Sequence, residues 1–264
     1  MVQFKTKQFS SGEFDVQIFN RIYGEEAVIH WNWFDESQRD IFALLLKIDA
    51  IKRNYPNVDI TLDAPYLPYM RQDRLFEAGQ SVPATVLVDL LNQRVNRIKT
   101  MACHSIQHYV SNEKIFLHSE MGARTNNYNY VFPDANAANH YADNHEPLQY
   151  VFHKVRNNDG VKLELFDKPN TVHTEFTFLI CDDIVAGGRT FVECANALRS
   201  YYGDKIKIEL MIYHAFLDYG IDNLQQSGIS KVHIVNKDSY DYILTLYPTD
   251  IDYFNYVPTT SDER

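Results

Sequence analysis

The chain has 264 residues, which is enough for one large domain or two modest ones. With 45% hydrophobic residues, 23% charged residues and a formal net charge of −10, the composition is that of a globular protein, and it argues against a general nucleic-acid binder. Three cysteines are too few for a disulfide framework. The sequence shows no signal peptide and no apolar run of about 18 residues, which predicts a cytoplasmic protein without a membrane partner.

Strand-like and helix-like segments alternate along the chain. In the N-terminal half the pattern predicts strands at 27–33, 59–62 and 98–103, and helices at 38–54 and 82–92. In the C-terminal half it predicts strands at 176–181, 206–213 and 231–235, and helices at 190–201 and 221–227. This alternation predicts an α/β protein with mostly parallel sheets flanked by helices, divided into domains 1–122 and 123–264.

An arginine-rich segment follows the second predicted strand. Its central residues are Arg71, Gln72, Asp73 and Arg74. Arginine is the natural partner of phosphate oxygens, and glutamine can bind the edge of a base or a ribose. The segment therefore indicates a nucleotide site, with a solvated loop held by an internal Arg–Asp pair as the alternative.

A second informative segment lies at the end of the predicted strand 176–181. Asp182 and Asp183 follow that strand, a Gly187-Gly188 turn comes next, and Thr190 opens the predicted helix. Two adjacent carboxylates can accept hydrogen bonds from neighbouring ribose hydroxyls, while backbone N–H groups at a helix start bind phosphate. The segment predicts a site for a phosphorylated sugar, with a helix N-cap role for one aspartate as the alternative.

These motifs resemble those of the ribose-phosphate pyrophosphokinases, also called phosphoribosyl pyrophosphate (PRPP) synthetases. Residues 69–73 are similar to the Tyr-x-Arg-Gln-Asp segment of that family. Other similar segments occur in the family's order: Phe9-Ser10-Ser11-Gly12-Glu13, Ser81-Val82-Pro83-Ala84-Thr85, His104, Pro133-Asp134, Lys154-Val155-Arg156 and His214. The resemblance spans about residues 9–240, nearly the whole chain.

The resemblance implies two phosphoribosyltransferase-like domains, the first on the ATP side and the second on the ribose-phosphate side. It implies an enzyme that transfers the β,γ-diphosphate of ATP to the anomeric hydroxyl of a ribose 5-phosphate group and releases AMP. Mg²⁺ is the implied cofactor. A homo-oligomer is implied as well, because the family completes its sites across subunits.

The resemblance also implies roles for individual residues. Lys154 and Arg156 would be catalytic cations over the β- and γ-phosphates, and His104 and Asp134 would orient the metal. The implied ATP-binding residues are Phe9, Glu13, Arg71, Gln72, Asp73 and His104. The implied acceptor-binding residues are Asp182, Asp183, Ala186, Gly187, Gly188, Arg189 and Thr190. Without the resemblance, His104 is interpreted as a buried hydrogen-bonded histidine, and Lys154 and Arg156 as exposed basic residues.

Four segments depart from the family pattern. Ala102 and Ser11 each replace an aspartate, and residues 135–140 lack the paired glycines that follow Pro-Asp in the family. The family loop reads Asp-Asp-x-x-Asp-Thr-Gly-Gly-Thr, whereas here Ala186 and Gly187 replace Asp-Thr and Arg189 replaces a glycine. The loop thus loses a hydroxyl donor to a terminal phosphate and gains space and a guanidinium.

These changes favour an acceptor in which the phosphate continues into a nucleoside, because such a diphosphate needs an open site and a cation along its path. The hypothesis is that the acceptor is ADP-ribose, as in relatives of this family tied to NAD resynthesis in bacteriophages, which would place the enzyme in the host cytoplasm. Three alternatives stay open: a conventional enzyme that acts on ribose 5-phosphate, a non-catalytic regulatory subunit, and a phosphoribosyltransferase that uses PRPP.

Overall fold

The computed structural model describes residues 1–105, 115–118, 128–141, 149–157, 160–167, 177–217, 221–250 and 252–257. The chain divides into two compact units, Met1–His118 and Ser119–Arg264. The predicted domain boundary between residues 122 and 123 lies outside the described residues. Within the described part of the chain, no helix is long and apolar enough to cross a lipid bilayer.

The first unit is built on a parallel sheet of four strands in the order β3-β4-β5-β6. Two helices connect these strands and bury one face each, as expected for α/β units. The elements are β3 (Glu26–His30), α1 (Ile41–Asn54), β4 (Asp59–Asp63), α2 (Pro83–Asn92), β5 (Arg97–Met101) and β6 (Ile115–His118). Asp40 begins α1, because its carboxylate accepts the Ala43 N–H at 2.9 Å.

A separate antiparallel hairpin precedes this sheet. It consists of β1 (Phe4–Gln8) and β2 (Phe14–Ile18), which pair from Phe4↔Ile18 to Gln8↔Phe14. The strand pattern above did not predict this hairpin. Its residues are mostly exposed, so its sequence lacks the apolar run that marks a buried strand.

The second unit is built on a sheet of seven strands in the order β13-β12-β11-β10-β7-β8-β9. All neighbours are parallel except β8 and β9, which form a hairpin. The strands are β7 (Tyr128–Phe132), β8 (Gln149–Asn157), β9 (Gly160–Asp167), β10 (Thr177–Val185), β11 (Ile208–Ala215), β12 (Ile229–Ile234) and β13 (Phe254–Tyr256). The helices are α3 (Ala135–Tyr141), α4 (Arg189–Tyr202), α5 (Ile221–Gln226) and α6 (Lys237–Leu246).

The core of the second unit surrounds β10 and β11. All eight residues of β11 are buried, which is typical of a central parallel strand covered on both faces. Phe178 and Ile180 of β10 pack in one cluster with Phe191 and Leu198 of α4. This packing fixes the carboxyl ends of the two strands, where an open α/β sheet binds its ligands.

Candidate functional site

The acidic pair lies inside β10 rather than after it. The sequence predicted that this strand ends at Cys181, but its parallel pairing with β11 continues through Ile184↔His214 and Val185↔Ala215. Side chains alternate along a strand, so Asp182 and Asp183 project to opposite faces. Asp183 is buried, and its N–H donates to Asp182 Oδ1 at 2.9 Å. The two carboxylates therefore lie at the carboxyl edge of the sheet, one on each face.

Three carboxylates influence one another at this edge. The pKa of Asp182 is raised well above its usual range, first by burial and then by the negative charges of Asp183 and Asp134. Asp134 follows β7, which neighbours β10 in the sheet. A desolvated, mutually repelling set of carboxylates is stabilised by hydroxyl donors, so the edge suits a polyhydroxy ligand.

The loop after β10 contains only Ala186, Gly187 and Gly188 before α4 begins at Arg189, one residue earlier than predicted. Gly188 is the N-cap of α4 and adopts φ 72°, a left-handed conformation that favours glycine. The alternative in which an aspartate of the pair caps this helix is therefore wrong. A Cβ added at Gly187 would meet no atom within 4 Å, so the loop has room beside it.

Arg189 stands on the first turn of α4. Its side chain is 84% exposed, and its Nε donates to Glu193 Oε1 at 2.8 Å. The sequence did not single out Glu193, although its spacing of four residues from Arg189 is the signal for such a pair. The guanidinium thus lies at the start of α4 in an exposed pair that is weak in water.

Asp134 begins the short helix α3. Its Oδ1 accepts the Ala137 N–H at 3.0 Å, and its backbone carbonyl accepts the Ala138 N–H at 3.1 Å. A helix therefore starts where the resembling family has paired glycines. This explains how the altered segment after Asp134 keeps a regular backbone.

Lys154 and Arg156 lie on β8, in the hairpin with β9. Lys154 pairs with Leu163 and Arg156 pairs with Val161. Positions two apart in a strand share a face, so the two basic residues belong to the same face of the hairpin. Their side chains lie outside the described residues.

In the first unit, Phe9 and Glu13 flank the turn of the β1–β2 hairpin. Phe9 is 43% exposed and Lys7 Nζ lies 4.7 Å from the centre of its ring. The Phe9 N–H donates to the Glu13 carbonyl at 2.8 Å, and Gly12 adopts φ 89°. Ser11, which replaces a family aspartate, donates its hydroxyl to Glu13 Oε2 at 2.7 Å. The hairpin thus presents an aromatic ring and a carboxylate at an exposed tip.

The arginine-rich segment forms an exposed loop between β4 and α2. The Gln72 N–H donates to the Tyr69 carbonyl at 2.9 Å, and the Gln72 carbonyl accepts the Ala84 N–H at 3.3 Å. Tyr69 adopts φ 68°, a left-handed conformation that is uncommon for a large side chain. Arg71 is exposed, and among the ion pairs of the described residues none joins Asp73 to Arg71 or Arg74. The internal-pair alternative for this segment is therefore not supported.

His104 follows β5 in an exposed turn. The interpretation of His104 as a buried histidine, which rested on its residue type alone, is therefore wrong. Ala102 is buried and adopts φ 37°. Left-handed backbone is better tolerated by aspartate or asparagine than by alanine, so the replacement of the family aspartate adds local strain.

A magnesium site would have to draw on few protein ligands. In the described parts of the chain, no three His, Cys, Asp or Glu side chains are grouped so that they could hold a metal ion. Mg²⁺ commonly takes one or two carboxylates and completes its shell with waters and substrate phosphates. The carboxylate of Asp134 fits that role, because it lies partly exposed at the edge of the sheet.

Comparisons with known proteins agree with this geometry. Residues 1–94 match the family model of the N-terminal domain of ribose phosphate pyrophosphokinase. The chain is 26% identical over 241 residues to a ribose-phosphate pyrophosphokinase of Aquifex aeolicus, covering 86% of this chain and 76% of that protein. It is 27% identical over 248 residues to one of Thermosipho africanus, covering 88% of this chain and 77% of that protein.

A solved structure shares the fold. Phosphoribosylpyrophosphate synthetase from Mycobacterium smegmatis superposes with a TM-score of 0.70 at 19% identity, covering 97% of this chain and 86% of that chain. The predicted fold class, α/β with two phosphoribosyltransferase-like domains and mostly parallel sheets, is confirmed.

Proposed function

We propose that the chain, which is similar to ribose-phosphate pyrophosphokinases over most of its length, is an ATP-dependent diphosphotransferase that acts on a ribose 5-phosphate group. It transfers the β,γ-diphosphate of ATP to the anomeric hydroxyl and releases AMP. The observation that carries this proposal is the acceptor edge, where Asp182 and Asp183 lie near the end of β10 and the glycine-capped start of α4 follows that strand after three residues. That arrangement offers acceptors for sugar hydroxyls and donors for a phosphate.

Phosphoryl transfer of this kind depends on positioning and on neutralising a strongly anionic transition state. Asp182 and Asp183 hold the ribose hydroxyls and orient the anomeric oxygen. The start of α4 holds the 5-phosphate, and Lys154 and Arg156 supply positive charge to the transferred phosphates. Each role is the one that the resemblance to the family's motifs implies for that residue.

The resemblance implies Asp134 and His104 as the residues that would hold Mg²⁺, and the ion would supply positive charge to the phosphates. Oxygen ligands suit this ion, so the carboxylate of Asp134 is the stronger of the two ligands.

The ATP site draws on the first unit. Arg71, Gln72 and Asp73 line the exposed loop after β4, and Phe9 and Glu13 stand at the tip of the hairpin. A ring that is 43% exposed at a hairpin tip suits insertion into a neighbouring copy, which supports a homo-oligomer whose ATP sites are completed across subunits.

Product analysis tests the transfer. Protein, ATP and Mg²⁺ are incubated with and without ribose 5-phosphate, and AMP and the sugar product are measured by chromatography and phosphorus NMR. Acceptor-dependent AMP with a diphosphate on the anomeric carbon is the expected result. ADP and inorganic phosphate in place of AMP would contradict the proposal.

We further propose that the preferred acceptor is ADP-ribose, which would yield ADP-ribose 1-diphosphate for NAD resynthesis. Two features of the loop support this acceptor. The space beside Gly187 lets a phosphate continue into a larger group, and the exposed guanidinium of Arg189 stands at the helix start where a second phosphate would pass. A guanidinium binds adjacent phosphates bidentately.

Arg189→Gly is expected to lower kcat/KM for ADP-ribose about tenfold, because the variant loses one charge-assisted hydrogen bond to this acceptor. The value of kcat/KM for ribose 5-phosphate is expected to change less than about twofold. Steady-state kinetics with each acceptor measure this difference. Arg53→Gly is the matched control, because Arg53 is an exposed helical arginine that pairs with Asp49 at 2.7 Å in the same spacing. Equal losses for both acceptors in Arg189→Gly would rule out a selective contact.

A conventional enzyme acting on ribose 5-phosphate is the second candidate. The names of the relatives favour it, because they are ribose-phosphate pyrophosphokinases. A third candidate, a non-catalytic subunit, is favoured by Ala102, which leaves no carboxylate where the family has one. Absence of AMP with either acceptor would support the third candidate.

A further inference from the structure

A buried histidine and a buried asparagine meet at the carboxyl end of β11. His214 is 1% exposed and Asn236 is 1% exposed. Asn236 Nδ2 lies 3.0 Å from His214 Nδ1. Because both side chains are removed from water, the direction of this hydrogen bond matters to the stability of the junction.

The direction follows from the second role of Asn236. Asn236 is the N-cap of α6, and its Oδ1 accepts the Asp238 N–H at 3.0 Å. An N–H donor requires the oxygen, so the amide NH₂ faces the imidazole. His214 Nδ1 therefore accepts, and its proton lies on Nε2. Burial also favours the neutral ring.

This junction is joined to the acceptor loop. In the parallel pairing of β10 with β11, Ile184 pairs with His214, and the Phe216 N–H donates to the Val185 carbonyl at 2.7 Å. Ser239 of α6 accepts the Ala215 N–H at 2.7 Å. The end of β11, the start of α6 and the last residues of β10 before the loop are thus held by one set of hydrogen bonds.

The pairing also sets which side chains share a face. Asp182 pairs with Ile212 and Ile184 pairs with His214, so alternation brings Asp182 and His214 to the same face of the sheet. A neutral ring with its proton on Nε2 offers a donor on this face, where the other tautomer would offer an acceptor. Only the tautomer with the proton on Nε2 offers a hydrogen-bond donor to the carboxylates at this edge of the sheet.

We propose that His214 is a positioning residue for the acceptor site, locked by Asn236 as the neutral Nε2–H tautomer so that it stabilises the end of β10 and the loop that follows. The effect on the acceptor rests on the proposed function, whereas the tautomer does not. Asn236 is the residue that sets the tautomer.

The tautomer is measured on the full-length protein with isotope-labelled histidine. Imidazole nitrogen shifts are recorded near neutral pH, and His214→Gln identifies the signal of His214 among the ten histidines. A protonated Nε2 with an unprotonated Nδ1 is the expected result. A proton on Nδ1, or on both nitrogens, would overturn the proposal.

Asn236→Asp tests the link to the acceptor. Aspartate caps a helix as well as asparagine does, so α6 is retained, but it offers the ring only acceptors and draws the proton to Nδ1. The dissociation constant of ribose 5-phosphate, from calorimetry, is expected to rise about tenfold, while that of ATP stays unchanged.

Asn236→Ser is the control, because serine caps the helix but is too short to set the tautomer of the ring. The dissociation constant of ribose 5-phosphate is expected to rise less in Asn236→Ser than in Asn236→Asp. Asn236→Asp with a reversed tautomer and an unchanged affinity for ribose 5-phosphate would overturn the positioning role. Because calorimetry measures binding without turnover, a chain that forms no AMP yet shows these shifts would contradict the proposed function and leave this inference standing.

Discussion

Lys154→Ala is expected to abolish diphosphate transfer to every acceptor, with a loss in kcat of about a thousandfold or more. The reason is electrostatic: the transferred group carries several negative charges, and a cation aimed at it acts more strongly in the transition state than in the bound substrates. The affinity for the acceptor should change little, because Lys154 is proposed to contact the phosphates of ATP. Single-turnover AMP formation at saturating ATP separates the two effects.

Lys162→Ala provides the matched control for that variant. Lys162 lies in the same hairpin, on β9, and pairs with Val155, the residue between Lys154 and Arg156. Paired residues share a face and neighbours along a strand do not, so Lys162 is on the face opposite to Lys154. The Lys162→Ala variant should retain nearly full diphosphate-transfer activity. Equal losses in the two variants would mean that the hairpin needs its net charge rather than a particular lysine.

Glu209→Ala is expected to destabilise the second unit by about 3 kcal/mol, the typical effect of breaking a buried ion pair. Glu209 is 4% exposed at the start of β11. Its carboxylate accepts from Lys207 Nζ at 2.6 Å, His233 Nε2 at 2.8 Å and Tyr128 Oη at 3.3 Å. Removing it leaves an unfilled buried site and takes the acceptor away from the partly buried His233 and Tyr128. Urea unfolding followed by circular dichroism and by amide hydrogen exchange of β11 and β12 measures the loss.

Lys207→Ala is the comparison for this network, because its side chain is 60% exposed and such a pair contributes less than about 1 kcal/mol. Tryptophan fluorescence supplies an internal reference, since both tryptophans, Trp31 and Trp33, belong to the first unit. A loss in Glu209→Ala no larger than in Lys207→Ala would contradict the assigned role of the carboxylate.

The pH dependence of this effect has a defined sign. Burial raises the pKa of Glu209, but the hydrogen bonds and charges of Lys207 and His233 outweigh it, so the pKa is lowered in the folded state. A lowered pKa contributes stability above the unfolded glutamate value of about 4.3 and loses it as the pH falls through the folded value. The difference in stability between wild type and Glu209→Ala should therefore shrink in acid.

Much of the fold could be predicted from hydrophobic pattern alone. The parallel strands of both units, such as β3 and β11, are short segments rich in apolar residues that alternate with helices, and this order is typical of α/β folds. The β1–β2 and β8–β9 hairpins were not predicted. Their strands carry many polar residues, and their stability comes from pairing that a local pattern does not encode.

The acceptor site shows where local pattern fails in detail. Asp182 and Asp183 are polar, so they indicate the end of a strand, yet pairing with β11 extends β10 through both of them. The candidate residues themselves come from the order of the motifs and from the family resemblance that these motifs carry. The partners of those residues, such as Glu193 beside Arg189 and Asn236 beside His214, depend on tertiary contacts or helix register.

The most direct test of the account is a competition between acceptors. Equal concentrations of ribose 5-phosphate and ADP-ribose are supplied with Mg²⁺ and a limiting amount of ATP, and the two diphosphate products are quantified. The account predicts AMP equal to the sum of both products, with ADP-ribose 1-diphosphate in excess. Equal or greater formation of the ribose 5-phosphate product would contradict the proposed acceptor, and ATP consumption without either product would contradict diphosphate transfer itself.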